Sequence, residues 1–294
     1  MANQNKPRLT MVAAMAIFGT LGIFVRHIGV SSGELALYRA VLAALLIGAY
    51  LFLTRQKIDF RGIKKELLLL LLSGMAMGIN WILLFEAYRY TTVSVATLSY
   101  YFAPVLVTAV SPLLFREKLT RRQILCFVMS TIGLVLITGV GELSAGSRHL
   151  TGIGFGLLAA VFYASVVLMN KFIRNVGGIH RTFLQFLAAI VILLPYVLGT
   201  GGVRLAVLDG MGWLCLLVVG LFHTGITYCL YFSSLSRLPG QTAAILSYID
   251  PLVAVLVSVT LLHEPMTGLQ LVGGGLILGF TLWNELGGTR DRVM

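Results

Sequence analysis

The chain has 294 residues, of which 58% are hydrophobic and only 11% are charged, and its net charge is +11. A soluble domain carries roughly 25% charged residues, so a water-soluble globule of this size is excluded. The excess Lys and Arg residues lie in short gaps between apolar blocks and form no basic face interleaved with aromatics, which argues against nucleic acid as a partner.

Ten apolar blocks follow one another along the chain. Each is about 20 residues long, the length of helix that crosses a bilayer core. Because the bilayer interior offers the backbone no hydrogen-bond partners, each block is predicted to be a transmembrane helix. The predicted spans are 9–27, 34–53, 67–88, 92–115, 122–140, 152–171, 180–199, 211–233, 240–262 and 267–286.

The first span follows Lys6 and Arg8, as the apolar core of a signal peptide would. It lacks a small-residue cleavage site and is followed by nine more spans. We therefore expect a retained first helix in a lipid bilayer.

The basic residues between the spans predict the orientation. With the N-terminus inside, 17 of the 22 Lys and Arg residues fall on the inner side; Arg26, Arg89, Arg148 and Arg204 fall outside, and Arg39 lies within a helix. Cytoplasmic loops of membrane proteins carry the excess of Lys and Arg. We therefore expect a plasma-membrane protein with both termini in the cytoplasm.

The two halves of the chain resemble each other. Identical residues recur at an offset of 147, among them Gly78 and Gly225, Tyr101 and Tyr248, Pro104 and Pro251, and Glu117 and Glu264. Each half holds five predicted spans, an odd number, so the second half enters the membrane from the opposite side. The sequence predicts inverted repeats, 1–146 and 147–294, joined near residues 141–147, with a substrate site between them at the midplane.

Cofactor and metal motifs are missing from the sequence. Cys126, Cys215 and Cys229 lie in apolar runs without a CxxC spacing, and the five histidines are scattered, so we expect no structural metal. The chain lacks HExxH, GxSxG and a nucleotide-binding loop, so we expect no cofactor, no ATP drive and no enzyme activity. We interpret Gly273–Gly275 as a site of close helix packing, and a homodimer is one arrangement that it permits.

Two stretches carry a resemblance to a known family. The first runs from Phe85-Glu86-Ala87-Tyr88 through Ala103-Pro104-Val105 to Arg116-Glu117-Lys118-Leu119, and its second copy from Tyr231-Phe232 through Asp250-Pro251-Leu252 to His263-Glu264-Pro265. With Arg39-Ala40 early in the second span, they resemble the drug/metabolite transporter superfamily, specifically its ten-helix EamA-type family. The resemblance covers nearly the whole chain and implies an all-α bundle around a central cavity. It also implies transport of amino acids or related metabolites, often outward.

The chain departs from the family pattern at two positions in the second copy. Gln185 stands where a counterpart of Arg39 would fall, and Asp250 stands where the first copy has Ala103.

Pro104 and Pro251 each lie near the middle of a predicted span. Proline in a helix interior costs about 3 kcal/mol, and paired helix breaks in the two halves point to a binding site. Packing kinks are the alternative.

Asp250 is the sharpest single candidate, because a carboxylate at mid-bilayer costs roughly 2.5–3.5 kcal/mol on insertion scales. We expect Asp250 to bind a substrate ammonium group or to carry a coupling proton. The alternative is local, with its side chain satisfying polar groups that Pro251 leaves free.

Polar and aromatic side chains on the third, fourth, eighth and ninth spans are predicted to line the cavity. The substrate-binding candidates are Asn80, Trp81, Tyr101, His223, Thr227, Tyr228, Tyr248 and Asp250, and weaker candidates are Tyr163, Asn170 and Gln185. Such a lining suits a zwitterion with an apolar side chain. Ordinary hydrogen bonding between helices is the alternative.

Arg39 and Glu86 lie one to two turns from the outer ends of their helices, and with Pro104 and Pro251 they are the candidates for coupling or gating. Structural pairing with each other, with Glu34 or with Arg89 is the alternative. Glu117 and Glu264, at span ends, are interpreted as interface anchors.

Taken together, the residues and the resemblance predict a secondary transporter of small polar, amino-acid-like metabolites, acting as an exporter by alternating access. A proton- or ion-coupled importer would have the same sequence features. A membrane-embedded enzyme would need clustered catalytic groups, and a scaffold would need neither an inverted repeat nor a midplane acid.

Overall fold

The fold is known from a computed structural model, which describes residues 5–56, 58, 62–115, 120–138, 148–235, 237–238 and 246–287. The described α-helices are α1 Asn5–Gly19, α2 Leu21–Val25, α3 Ser32–Leu53, α4 Leu67–Tyr90, α5 Val93–Tyr100, α6 Ala103–Phe115, α7 Arg121–Thr138, α8 Arg148–Asn170, α9 Gly178–Thr200, α10 Gly210–Leu217, α11 Thr227–Leu235, α12 Ile249–Thr260 and α13 Gly268–Gly287. A π-helical segment, Val218–Ile226, joins α10 to α11. Glu117 and the predicted joint 141–147 lie outside the described residues.

Seven of the described helical stretches are long and apolar enough to cross a membrane. They are Lys6–Val25, Ser32–Leu53, Leu67–Tyr90, Val93–Val110, Arg148–Asn170, Gly178–Thr200 and Gly210–Ser234. They coincide with the first four predicted spans and with the sixth to the eighth. Helices α7, α12 and α13 lie in the fifth, ninth and tenth predicted spans, so each predicted range contains helix.

Local sequence signals explain where two of these helices begin. Before α3, the Ser31 hydroxyl accepts a hydrogen bond from the Glu34 amide (3.2 Å), and the Glu34 carboxylate accepts one from the Ser31 amide (3.0 Å). This reciprocal pair is a capping box, which satisfies two amides at the helix start. Before α5, the Thr92 hydroxyl accepts a hydrogen bond from the Val95 amide in the same way (3.3 Å).

The outward faces of the helices are apolar. Phe52, Leu113 and Val191 expose 83%, 83% and 69% of their surface. Polar side chains such as Ser73 and Gln185 are buried instead. Large apolar side chains that face outward from a polar interior are expected for a helix bundle surrounded by lipid.

Four of the predicted spans are irregular in the structure. The first is interrupted at Thr20, the fourth at Tyr101 and the residue after it, and the ninth at Tyr248 just before α12, while the eighth contains the π-helical segment. Pro104 and Pro251 lie within the first turns of α6 and α12. Proline is tolerated there because the first amides of a helix have no intrahelical partner. The paired breaks expected from the two prolines are therefore present.

Helices from the two halves pack in matching pairs. Helix α4 packs against α8 as α1 packs against α11, and α3 packs against the π-helical segment as α4 packs against α9. In each comparison, every helix of the first pair is replaced in the second pair by the helix at the equivalent position of the other half, five predicted spans away. Three further pairs, α3 with α9, α5 with α12 and α7 with α13, join equivalent spans of the two halves.

Helices α7 and α13 approach each other closely at two glycines. A β-carbon placed on Gly133 would lie 2.5 Å from the carbonyl oxygen of Gly273, so neither position has room for a side chain. Next to it, Gly274 packs against Leu98 of α5. The close packing expected at Gly273–Gly275 is thus formed within one chain at two of the three glycines.

Candidate functional site

The paired helix breaks bring Tyr101 and Asp250 into contact. Tyr101 follows the last residue of α5, and Asp250 is the second residue of α12, which packs against α5. The Tyr101 hydroxyl donates a hydrogen bond to Asp250 Oδ2 at 2.6 Å. A β-carbon on Gly19, beside the break in the first span, would lie 2.6 Å from the Asp250 carbonyl oxygen. Three interrupted spans therefore meet at this residue, the fourth at its carboxylate and the first at its backbone.

Two chains of packed aromatic rings occur in the bundle, and the first contains Tyr101. In the first, Tyr101 packs against Tyr100, and Tyr100 packs against Tyr163, with ring centres 5.7 and 5.3 Å apart. In the second, Trp81, Phe186, Tyr228 and Phe18 follow one another, with successive ring centres 5.4, 5.4 and 5.1 Å apart. Four of these five ring pairs are edge-on, an arrangement that aromatic side chains prefer.

Several of these side chains are half-buried. Asp250, Tyr100, Tyr101 and Tyr228 each keep part of their surface accessible.

Arg39 is a further charged group of this interior, and only 3% of its surface is exposed. Its Nε donates a hydrogen bond to the Thr224 hydroxyl of the π-helical segment at 3.0 Å. Its guanidinium carbon lies 4.4 Å from the ring centre of Trp81 and 5.2 Å from that of Phe85. Both distances are within the roughly 6 Å over which an aromatic face attracts a cation.

No carboxylate of the described residues forms an ion pair with Arg39. Glu86 instead accepts a hydrogen bond from the Ser32 hydroxyl (2.6 Å) and pairs with Arg89 at 3.5 Å. The Glu34 carboxylate caps the start of α3 and accepts hydrogen bonds from other groups there. Of the pairings considered for Glu86, the one with Arg89 is present.

Other candidates are bonded within the protein. Asn80 Nδ2 donates to the carbonyl of Ala159 at 2.7 Å, and the Thr227 hydroxyl donates to the carbonyl of Phe222 at 2.8 Å. His223 Nε2 lies 3.0 Å from the Thr20 hydroxyl. Tyr248 is buried at the turn before α12. The structure therefore joins Tyr101 to Asp250 and links Trp81 to Tyr228 through Phe186, and it holds Asn80, His223 and Thr227 in helix contacts.

Glu264 has several partners at the end of its span. Its carboxylate pairs with Arg26 (2.5 Å) and accepts hydrogen bonds from the Ser258 hydroxyl (2.5 Å) and the Val93 amide (2.7 Å). It therefore links the end of α2 to the start of α5 and to α12, contacts that the interpretation as an interface anchor did not include. A carboxylate at a helix start also satisfies one of the free amides there.

Sequence reasoning missed three residues of this interior: Thr20, Phe186 and Thr224. Each is defined by a contact with a residue far away in the chain, and none belongs to a motif. Gln185, the counterpart of Arg39, likewise reaches across the bundle and donates to the Ser73 hydroxyl at 2.7 Å. Among the described residues, no group of three or more metal-ligating side chains occurs.

Comparison with known proteins decides the class. The model of the EamA-like transporter family matches residues 6–139 and again residues 150–284. This chain belongs to the EamA-like transporter family. The resemblance seen in the sequence is confirmed, and this EamA-family protein is a multi-pass membrane transporter rather than an enzyme.

Relatives of this EamA-family protein carry transporter names. It is 33% identical over 248 residues to the uncharacterized transporter YxxF of Bacillus subtilis (strain 168), covering 84% of this chain and 79% of the relative. An uncharacterized transporter of Archaeoglobus fulgidus is 28% identical over 279 residues, 94% of this chain and 95% of the relative. The biotin transporter of Escherichia coli (strain K12) is 22% identical over 256 residues, 86% of this chain and 84% of the relative.

A solved crystal structure shares the fold of this chain. The TM-score is 0.64 at 17% sequence identity, and the match covers 95% of this chain and 96% of that chain.

Proposed function

We propose that this EamA-family protein is a secondary transporter that exports small polar, amino-acid-like metabolites across the plasma membrane by alternating access. The observation that carries the proposal is the hydrogen bond between Tyr101 and Asp250, which joins the two halves at their paired helix breaks. Asp250 lies ten residues from the outer end of α12. At 1.5 Å per helical residue that is about 15 Å, half of a roughly 30 Å bilayer core.

In this proposal the ten predicted spans form two five-span repeats of opposite orientation, 1–146 and 147–294. The family model matches twice, once in each half, which supports a duplication. The matching helix pairs support a two-fold relation between the copies. Inverted repeats place the substrate between them, where discontinuous helices supply the site.

A central cavity is the second part of the proposal. It is supported by polar side chains of the bundle that keep part of their surface accessible, Asp250 and Tyr228 among them. Trp81, Tyr101, Tyr228 and Asp250 would contact substrate directly. The bonded candidates, Asn80, His223, Thr227 and Tyr248, would position the helices that border the cavity.

Under the proposed orientation, with both termini in the cytoplasm, a cluster of contacts around Glu264 lies at the outer end of the bundle. Arg26, Val93 and Ser258 come from three different spans and all bind Glu264. Alternating access requires such contacts to break and re-form as the two halves rock. Glu264 and Arg26 therefore join Glu86, Arg39, Pro104 and Pro251 as candidates for gating or coupling.

Flux measurements test the proposal. The purified full-length protein would be reconstituted into liposomes loaded with L-phenylalanine, L-leucine or L-threonine, and exchange of the same radiolabelled amino acid would be followed. We expect exchange above that of empty liposomes for at least one of them. Monodisperse, folded protein that exchanges none of a panel of amino acids and related metabolites would contradict transport of this substrate class.

Direction is measured separately in cells. Cells that express the protein should accumulate less of a substrate identified in liposomes than control cells do. Higher accumulation would instead favour the proton- or ion-coupled importer.

A further inference from the structure

The chemistry around Arg39 points to a substrate group. We propose that Arg39 is the anion-binding residue of the transport path and that it binds a carboxylate of the substrate. This inference rests on the proposed transport function and narrows its substrate class to small organic carboxylates with an apolar body.

The first argument is a buried charge without a counter-charge. Arg39 is 3% exposed, and the ion pairs among the described residues join Arg26 to Glu264 and Arg89 to Glu86. Buried charges in membrane proteins are normally paired, or they mark substrate and ion pathways. Since no protein carboxylate of the described residues pairs with Arg39, a substrate anion is the partner that this position suits.

The second argument is the geometry of the guanidinium. Nε donates to the Thr224 hydroxyl, and the guanidinium carbon lies over the rings of Trp81 and Phe85. The two terminal nitrogens donate to no described residue, yet neither is among the fully buried atoms of the described residues that lack a hydrogen-bond partner, so both keep some accessible surface. The free edge therefore presents two parallel N–H groups, the arrangement that binds a carboxylate with two hydrogen bonds.

The third argument is that Arg39 and Asp250 form no ion pair with each other. Asp250 accepts a hydrogen bond from the Tyr101 hydroxyl, and Arg39 donates one to the Thr224 hydroxyl, so each charge is held by a neutral partner. Arg39 is free to bind an anion, and Asp250 is free to bind an ammonium group or a proton.

The anion is more consistent with a carboxylate than with a phosphate. A phosphate carries close to two charges at neutral pH, and Arg39 offers one. The aromatic rings of Trp81, Phe85 and Phe186 beside it suit the apolar body of an organic acid.

The experiment uses Trp81 as a reporter, because its ring lies under the proposed site. Trp213→Phe and Trp283→Phe leave Trp81 as the one tryptophan of the full-length protein. The probes are 4-nitrobenzoate and 4-nitrobenzamide, quenchers of similar shape that differ in charge. We expect saturable quenching by 4-nitrobenzoate with an affinity at least about tenfold higher than for the amide, since a hydrogen bond to a charged group contributes roughly 1.5–3 kcal/mol.

Variants then locate the charge that matters. Arg39→Gln should reduce the preference for the carboxylate probe over the amide to within about twofold. Arg39→Lys should retain part of the preference, because Lys keeps the positive charge but loses the planar guanidinium that forms two parallel hydrogen bonds. Arg204→Gln is the matched control, since it removes an equal charge from an exposed residue outside the bundle interior. It should leave both affinities unchanged.

Three results would overturn the assignment: no saturable quenching by 4-nitrobenzoate, equal affinity for the amide, or an unchanged preference in Arg39→Gln. If Arg39→Gln does not fold, the comparison of the two probes on the parent protein still decides. If the protein exchanges amino acids in liposomes but Trp81 quenching shows no preference for the carboxylate probe, this inference alone is refuted. If the carboxylate probe binds at Trp81 but no amino acid is exchanged, the transport proposal is refuted instead.

Discussion

Asp250 and Arg39 lie inside a bundle whose outer surface is apolar, and each is stabilised by neutral partners. Asp250 accepts a hydrogen bond from the Tyr101 phenol, while Arg39 donates to Thr224 and lies against Trp81. A charge held by neutral groups keeps its capacity to bind an opposite charge, which a closed ion pair would lose. Both residues are therefore suited to bind and release ligands.

Asp250→Asn and Tyr101→Phe test the acid directly. Asp250→Asn should abolish exchange or make it independent of pH while the protein still folds, because the amide can neither take up a proton nor pair with an ammonium group. Tyr101→Phe removes the donor to the carboxylate and should lower exchange by about tenfold, as expected for a hydrogen bond to a charged group. The measurement is amino-acid exchange in liposomes between about pH 5 and 8, the range in which a perturbed carboxyl can titrate.

Tyr50→Phe is the control for the phenol, because Tyr50 is 40% exposed near the inner end of α3. It should exchange at the rate of the parent protein. Full, pH-dependent activity of Asp250→Asn would remove Asp250 from the mechanism.

Single residues show where sequence reasoning stops. Asp250 is recognisable because a carboxylate in an apolar block is rare and costly, whatever it contacts. Thr224 is not, because threonine is common in membrane helices and its contact with Arg39 joins residues 185 positions apart. Trp81, a substrate-binding candidate from the sequence, is only 4% exposed and lies between Arg39 and Phe186. Its replacement by Ala would cost about 3–5 kcal/mol of stability, so smaller changes are needed to probe substrate range.

Helix irregularities concentrate where spans from the two halves meet. Proline marks two of them, at Pro104 and Pro251, and these breaks are predictable because proline interrupts helical hydrogen bonding. The break at Thr20 and the π-helical segment contain no proline. Their cause is tertiary, since Gly19 packs against the Asp250 backbone and Gly220 against Leu42. Such contacts override local propensity and leave no periodic signal in the sequence.

The contacts of Glu264 predict how the outer end opens. Glu264→Gln should weaken the contacts with Arg26 and Val93 and shift the protein toward outward-open states, because it removes the negative charge that holds both. A cysteine at Thr97, which is 3% exposed in α5, reports the change. Its reaction with an impermeant thiol reagent added outside should become about tenfold faster in Glu264→Gln, as a loss near 1.4 kcal/mol implies.

This measurement needs a background in which the three native cysteines, Cys126, Cys215 and Cys229, are replaced by serine. Asp209→Asn is the control, because Asp209 caps the start of α10 through the Gly212 amide (2.7 Å) and is not a partner of Glu264. An equal reaction rate with and without the Glu264→Gln substitution would show that the outer end is not closed by this cluster.

The whole molecule is organised by the pairing of its halves. Apolar blocks predict where helices lie, and each predicted span range contains helix in the described residues. The order of packing could not be predicted, because contacts such as α7 with α13 depend on the fit of particular glycines, Gly133 and Gly273. The sequence offset of 147 predicts a duplication, and the matching helix pairs have the symmetry that a duplication would produce. Opposite orientation of the copies follows only if each half crosses the membrane five times.

Accessibility of equivalent loop positions in intact cells tests that arrangement most directly. Gly29, after the first span, and Gly177, after the sixth, are both exposed, and neither has a neighbour that would clash with a β-carbon. Cysteine would be placed at one position at a time in the background without native cysteines and treated with an impermeant maleimide. Opposite orientation predicts that Gly29→Cys reacts in intact cells, whereas Gly177→Cys reacts only after permeabilisation. Reaction of both from the same side would contradict inverted repeats and, with them, the proposed alternating-access site.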